Sequence, residues 1–209
     1  MNNDELGPGY DPGYRACPCF WGISPSTLVQ HAASLVVGHS GLDIGCGEGK
    51  NAAYLASIGF RVKAVDSSAY ALRNARALFG EGADIQWFRS DANTFLRGLT
   101  DTFDIAVSTG IAHCLSSIED VTAMLEMLGK VVRPGGTFAL SSFNDTFQDL
   151  RGHEPEFRPL LLSHTGLLDE IHEAGFDILT ESNSLLSDLP PHIGIRHSHS
   201  ITRVVAKRR

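Results

Sequence analysis

The chain has 209 residues, 43% hydrophobic and 20% charged, enough for one domain with a full-sized core. This composition excludes disordered, collagen-like and coiled-coil classes. Seventeen basic residues against twenty-four acidic ones give a net charge of −7, which argues against a sequence-independent grip on nucleic acid.

The N-terminal residues Met1-Asn2-Asn3-Asp4-Glu5 are acidic and have no apolar run behind them, so no secretory leader is expected. Residues 1–24 are rich in glycine and proline and read as irregular, with the aromatics Tyr10, Tyr14, Phe20 and Trp21. A first helix is expected over 26–37, capped by Ser24 or Ser26. Strand and helix then alternate. Strands are predicted at 42–46, 61–65, 85–88, 104–108 and 137–143, and helices at 48–57, 68–79, 92–99 and 118–132. Residues 144–163 form a long polar connection, followed by a helix at 165–174 and strands at 177–185 and 200–206. The alternation predicts an α/β fold with a doubly wound, mostly parallel sheet. The last two strands lack a crossover helix and should pair antiparallel, which puts their connecting loop at the ligand edge of the sheet. No stretch is long and apolar enough to span a membrane. The scattered cysteines Cys17, Cys19, Cys46 and Cys114 suit a reducing, cytoplasmic setting.

Leu42-Asp43-Ile44-Gly45-Cys46-Gly47-Glu48-Gly49 joins the first strand to its helix. Glycines at such a turn permit positive φ and let the backbone approach a ligand closely. The third glycine follows the second by two residues rather than three, which departs from the dinucleotide fingerprint and disfavours an NAD-dependent oxidoreductase. Asp43 would repel a pyrophosphate and suits a ligand with a positive charge. Asp66 ends the second strand, where a carboxylate accepts hydrogen bonds from a ribose diol; the bland alternative is a helix cap, which Ser67-Ser68 also offers. Asp91, in Ser90-Asp91-Ala92, stands where an adenine amino group would be met. In this order and spacing the acids favour an adenosine pocket.

With Gly59–Asp66, Ser90-Asp91-Ala92, Phe103–Ser108 and Arg133-Pro134-Gly135-Gly136, the glycine loop makes residues 41–143 resemble the class I S-adenosylmethionine-dependent methyltransferases. The resemblance implies a Rossmann-like seven-stranded sheet of order 3-2-1-4-5-7-6 with strand 7 antiparallel, and S-adenosyl-L-methionine as cofactor. Within that superfamily the chain resembles the tellurite-resistance group, through Gly49-Lys50-Asn51, Val107-Ser108-Thr109 and the ending Ile201–Arg208. A single domain is expected: an N-terminal lid segment and helix (1–40), a cofactor core (41–143), and a substrate cap with the last two strands (144–209). Cofactor contacts are expected from Asp43, Gly45, Cys46, Gly47 and Asn51 on the first loop and helix. Further contacts are expected from Asp66, Ser67, Asp91 and Ala92 after strands two and three, and from Ser108 and Thr109 after the fourth. Arg15 and Trp21 of the N-terminal segment are further expected cofactor contacts, Trp21 as a lid residue whose aromatic face would attract a sulfonium.

Methyl transfer from a sulfonium is an in-line displacement, in which the protein supplies position and electrostatics. Catalytic candidates are His113, beyond the fourth strand, and His192, Arg196 and His197 in the last loop; Arg196 falls where the tellurite-resistance group carries an active-site arginine. A packing role for His113 and a solvated edge for His197 and His199 are the bland alternatives. A histidine base would titrate near pH 6.5. No metal is expected, because Cys17-x-Cys19 lacks a second pair and His197-x-His199 suits a loop lining. The function expected is methyl transfer to a small-molecule nucleophile, most readily a soft one such as a thiol or a chalcogen oxyanion. The alternatives are O- or N-methylation of a small metabolite, or non-catalytic cofactor binding. The chain is expected to act as a monomer or homodimer, without nucleic acid or membrane partners.

Overall fold

The computed structural model describes residues 10–80, 82, 84–151, 153, 157–188 and 195–209. Its centre is a seven-stranded sheet of order β3-β2-β1-β4-β5-β7-β6. The strands are β1 Ser40–Ile44, β2 Arg61–Asp66, β3 Ile85–Arg89, β4 Phe103–Thr109, β5 Val132–Gln148, β6 Phe176–Asp188 and β7 His197–Arg208. The first five pair in parallel, while β7 runs antiparallel to both β5 and β6. The order and the antiparallel last strand are those implied by the sequence resemblance.

Strand alternation builds a core on each face of the sheet. Leu42, Ala106, Leu140 and Val204 pack on one side with Leu96, Leu125, Leu128 and Ile171. These partners come from helices α5 Ala92–Arg97, α6 Ile118–Val131 and α7 His164–Glu173. Val62, Ile105, Val107, Ala139 and Val205 pack on the other side with Val29, Leu55 and Leu72. Those belong to α2 Thr27–Ser34, α3 Lys50–Ser57 and α4 Ala69–Phe79. Among the described residues no helix is long and apolar enough to cross a membrane.

Four elements depart from the sequence reading. Residues Asp11–Ala16 form a short helix, α1, within the segment expected to be irregular; Pro12 sits in its first turn, where a missing N–H costs nothing. Strand β5 runs past residue 143 to Gln148, which pairs with His199 beyond a register shift. Strands β6 and β7 are each longer than expected and pair as far as Asp188 and His197. This extension lifts a two-stranded arm beyond the end of the parallel sheet, beside the ligand edge.

Candidate functional site

The site begins at the turn after β1. Gly45, Gly47 and Gly49 have φ of 69°, 54° and 82°, the left-handed region in which a side chain is strained. The amides of Gly45 and Cys46 both bond to the Val65 carbonyl, at 2.8 and 3.0 Å, which ties the loop to β2. Asp66 tightens the same joint: one oxygen accepts from the Gly47 amide at 2.8 Å and the other from the Ser68 amide at 2.9 Å. The cap of α4 is Ser68, whose hydroxyl accepts from the Ala71 amide, so Asp66 is not the cap. Burial raises the Asp66 pKa, against the pull of these amides.

Asp43 lies beneath the loop, fully buried, and neither carboxylate oxygen makes a hydrogen bond of ordinary geometry among the described residues. Burial first, then the neighbouring Asp66, push its pKa up to about 7, against weaker pulls from the Ala52 amide and Lys50. A buried carboxylate of this kind is costly and invites a positive partner.

The N-terminal segment folds over the loop and is pinned by a residue the sequence reading did not single out. Glu48 is 3% exposed. It accepts from the Cys19 amide at 2.7 Å, the Asn74 side chain at 2.9 Å and the Trp21 amide at 3.4 Å. Cys19 takes a positive φ of 71°, unusual for a residue with a side chain, and that amide bond helps hold it there. Lys50 Nζ donates to the Trp21 carbonyl, and the Trp21 indole donates to the Tyr14 hydroxyl at 3.1 Å. Trp21 thus lines the cavity. Arg15 is exposed and off the cavity wall, on the outward side of α1.

The resulting cavity is about 750 Å³, within the range of small-molecule sites. Gly45, Cys46, Gly47, Asn51, Asp66, Ser67, Asp91, Ala92 and Thr109 all line it. Several of them also have structural duties. Asn51 accepts from the Ser26 amide and donates to Thr109, and Asp91 caps α5 by accepting from the Thr94 amide. Ser108 is different: it is fully buried and off the wall, as alternation requires when Thr109 faces the cavity.

The far end of the cavity is aromatic. His113 lies in a 3₁₀ turn, Ala112–Cys114, and is 2% exposed. Its ring stacks on Phe143 with centroids 4.0 Å apart, and Phe143 also stacks on His199 at 4.2 Å. Nδ1 of His113 accepts from the Phe143 amide at 3.3 Å, so Nε2 carries the proton, facing the Tyr10 hydroxyl at 3.3 Å. Burial above all, then His153 and His199, lower the His113 pKa to about 3. His199 falls to about 4, chiefly through burial. A value near 6.5 therefore does not hold for these two rings, which stay neutral at physiological pH.

His197 and His199 are 3% and 2% exposed, not a solvated edge. With Ile201 and Arg203 they form one face of β7, and all four line the cavity. His153, missed in the sequence reading, joins them from the 144–163 connection, as do Phe157 from that connection and Tyr10 from the lid. Arg196 is exposed and off the wall, because the cavity face of β7 begins at His197. The β7 arginine on the wall is Arg203, bonded to the Ser184 hydroxyl at 2.6 Å. His192 lies outside the described residues.

Residues 42–136 match the methyltransferase domain family. This stretch, rather than the whole chain, carries the match, and it holds the glycine loop, Asp66 and Asp91. An uncharacterized methyltransferase of Mycobacterium tuberculosis is 42% identical over 103 residues, 49% of this chain and 49% of that protein. A ubiquinone biosynthesis O-methyltransferase of Aromatoleum aromaticum is 32% identical over 108 residues, 51% of this chain and 45% of the relative. The chain therefore spans about half the length of the curated relatives it matches. TehB from Haemophilus influenzae shares the fold with a TM-score of 0.72 and 19% identity, over 88% of this chain and 62% of that one. The cavity fits S-adenosylmethionine, the cofactor that the sequence resemblance implies. Left-handed glycines admit close approach and Asp66 faces the cavity, while Asp43 is fully buried beneath the loop and off the cavity wall.

Proposed function

We propose that the chain transfers the methyl group of S-adenosylmethionine to a small, soft, anionic nucleophile such as a thiolate or a chalcogen oxyanion. The cofactor supplies an activated methyl group. The Gly45–Gly47 backbone holds its charged amino-acid end, with the buried Asp43 acting on it only through the field from beneath the loop; Asp66 holds its ribose, and Asp91 with Ala92 its adenine. The lid residues Tyr14 and Trp21 exclude water from the donor end, where competition by solvent would waste it.

The observation behind the acceptor class is the wall of stacked rings, His113, Phe143 and His199, with both imidazoles held neutral. Bases with pKa values of about 3 and 4 do little for an alcohol. A thiol needs only a small shift from about 8.5 to ionise at neutral pH. Arg203 on the same wall favours such an anion. The similarity to an O-methyltransferase favours a second reading, methylation of a small hydroxylated metabolite. A transfer screen with thiols, selenite, tellurite, phenols and amines separates them. Turnover of thiols or chalcogen oxyanions is expected; turnover confined to phenols would establish the second reading. The chain's free cysteines favour action in a reducing, cytoplasmic compartment.

A further inference from the structure

We infer that His153, His197 and His199 form a binding site for one divalent transition metal of the zinc class, set in the wall of the acceptor end of the cavity. Their candidate ligand nitrogens all lie within 4.8 Å of one another. The three rings form a nearly regular triangle, with centroids 4.9, 5.0 and 5.1 Å apart and mutual tilts of 71–76°. Rings packed for apolar contact alone have no need to converge their nitrogens.

The hydrogen bonds decide which nitrogens are aimed inward. His199 Nδ1 lies 2.7 Å from Gln148 Oε1. The Gln148 amide group donates to two carbonyls, Asn144 at 2.7 Å and Ser200 at 3.0 Å, so its oxygen is the end that accepts. His199 Nδ1 therefore carries the proton, and Nε2 presents a lone pair. His197 Nδ1 lies 2.9 Å from the Ile195 carbonyl, which can only accept, so its Nε2 also presents a lone pair. Fixing the tautomer through the other ring nitrogen is how proteins orient histidine ligands to metals. His153 Nε2 faces His199 Nε2 at 3.1 Å, a hydrogen bond in which His153 donates to the His199 lone pair; a metal would take the place of that proton. Two imidazoles on one zinc, with bonds of about 2.0–2.1 Å at tetrahedral to octahedral angles, put their nitrogens about 2.9–3.4 Å apart.

Two rings come from the rigid face of β7 and the third from the 144–163 connection, so a bound metal would clasp that connection to the sheet. Three neutral nitrogen ligands leave a coordination position for the anionic atom of an acceptor, as in catalytic zinc sites. The metal site stands on the side-chain geometry alone, whichever acceptor the enzyme uses.

The test is a Co²⁺ titration of the untagged protein, without cofactor or acceptor, followed by displacement with Zn²⁺. One equivalent is expected, with visible d–d absorption that Zn²⁺ removes. His199→Ala and His153→Gln should each weaken binding at least a hundredfold, and Gln148→Leu about ten- to a hundredfold. S-adenosylmethionine titration of the same variants checks that they are folded. His153→Gln, on the connection rather than the sheet, serves if the β7 variant does not fold. No binding by the unaltered protein, or equal binding by the folded variants, overturns the site. Loss of methyl transfer with metal binding intact would instead count against the proposed function.

Discussion

At the scale of single residues, Asp43 carries a measurable signature. Its pKa is about 7 in the fold and near 3.8 in the unfolded chain, so the native state holds a proton that the unfolded state has lost. Stability from this site therefore falls as pH rises from about 4 to 7 and is level above that. The full shift corresponds to roughly 4 kcal/mol, an upper bound. Asp43→Asn removes the slope. Urea unfolding of the cofactor-free protein should show the variant gaining on the parent between pH 5 and pH 8, while cofactor affinity drops. Parallel pH profiles would show that water or relaxation already satisfies the carboxylate. Asp66 differs because it bonds two backbone amides. Asp66→Ala should lower cofactor affinity about ten- to a hundredfold. It should also cost the cofactor-free protein about 1–3 kcal/mol, since the Gly47 and Ser68 amides lose their acceptor. A normal dissociation constant with only a stability loss would restrict Asp66 to holding the loop.

At the scale of elements, legibility follows how local the signal is. The glycine loop, Asp66 and Asp91 were readable because each sits at a strand end within a short motif, and chain geometry fixes where a strand end points. Helix α1 was not readable: Pro12 and Gly13 lower helix propensity, and the segment is held by tertiary contacts to α4 and Glu48. Glu48 itself looked like one more residue of the loop, and nothing in its spacing marks it as the lid anchor. Glu48→Ala leaves the Cys19 and Trp21 amides without their acceptor. It should loosen the lid, raise the cofactor dissociation constant about tenfold or more, and shift Trp21 emission to the red. Trp21 and Trp87 are the chain's two tryptophans, so the emission is best read in a Trp87→Phe background. Unchanged emission and affinity would mean that ring packing of Tyr10, Phe20 and Trp21 holds the lid unaided.

At the scale of the whole molecule, the acceptor end is assembled by topology. Tyr10, His113, Phe143, His153, Phe157 and His199 meet although no two of them share a motif, so sequence spacing carried almost no trace of the site. What the sequence did contain was the antiparallel last pair, which puts the start of β7 at the carboxyl edge of the parallel strands. Counting back from the chain end placed an active-site arginine at 196, yet the alternation of β7 puts 197, 199, 201 and 203 on the cavity face. Arg203 is the β7 arginine that this geometry presents to the cavity, and hence to the proposed acceptor. Burial lowers its pKa, but a guanidinium starts so high that it stays charged. Its bond to Ser184 orients the fork, and the adjoining ring wall strengthens its field on an anion. Arg203→Ala should therefore raise the acceptor KM about ten- to a hundredfold and leave cofactor affinity within a few-fold. Arg203→Lys should recover part of the loss, and less if the contact is bidentate. Arg196→Ala should change neither constant. A kinetic defect in Arg196→Ala with full activity in Arg203→Ala would mean that the loop before β7 closes over the acceptor during turnover.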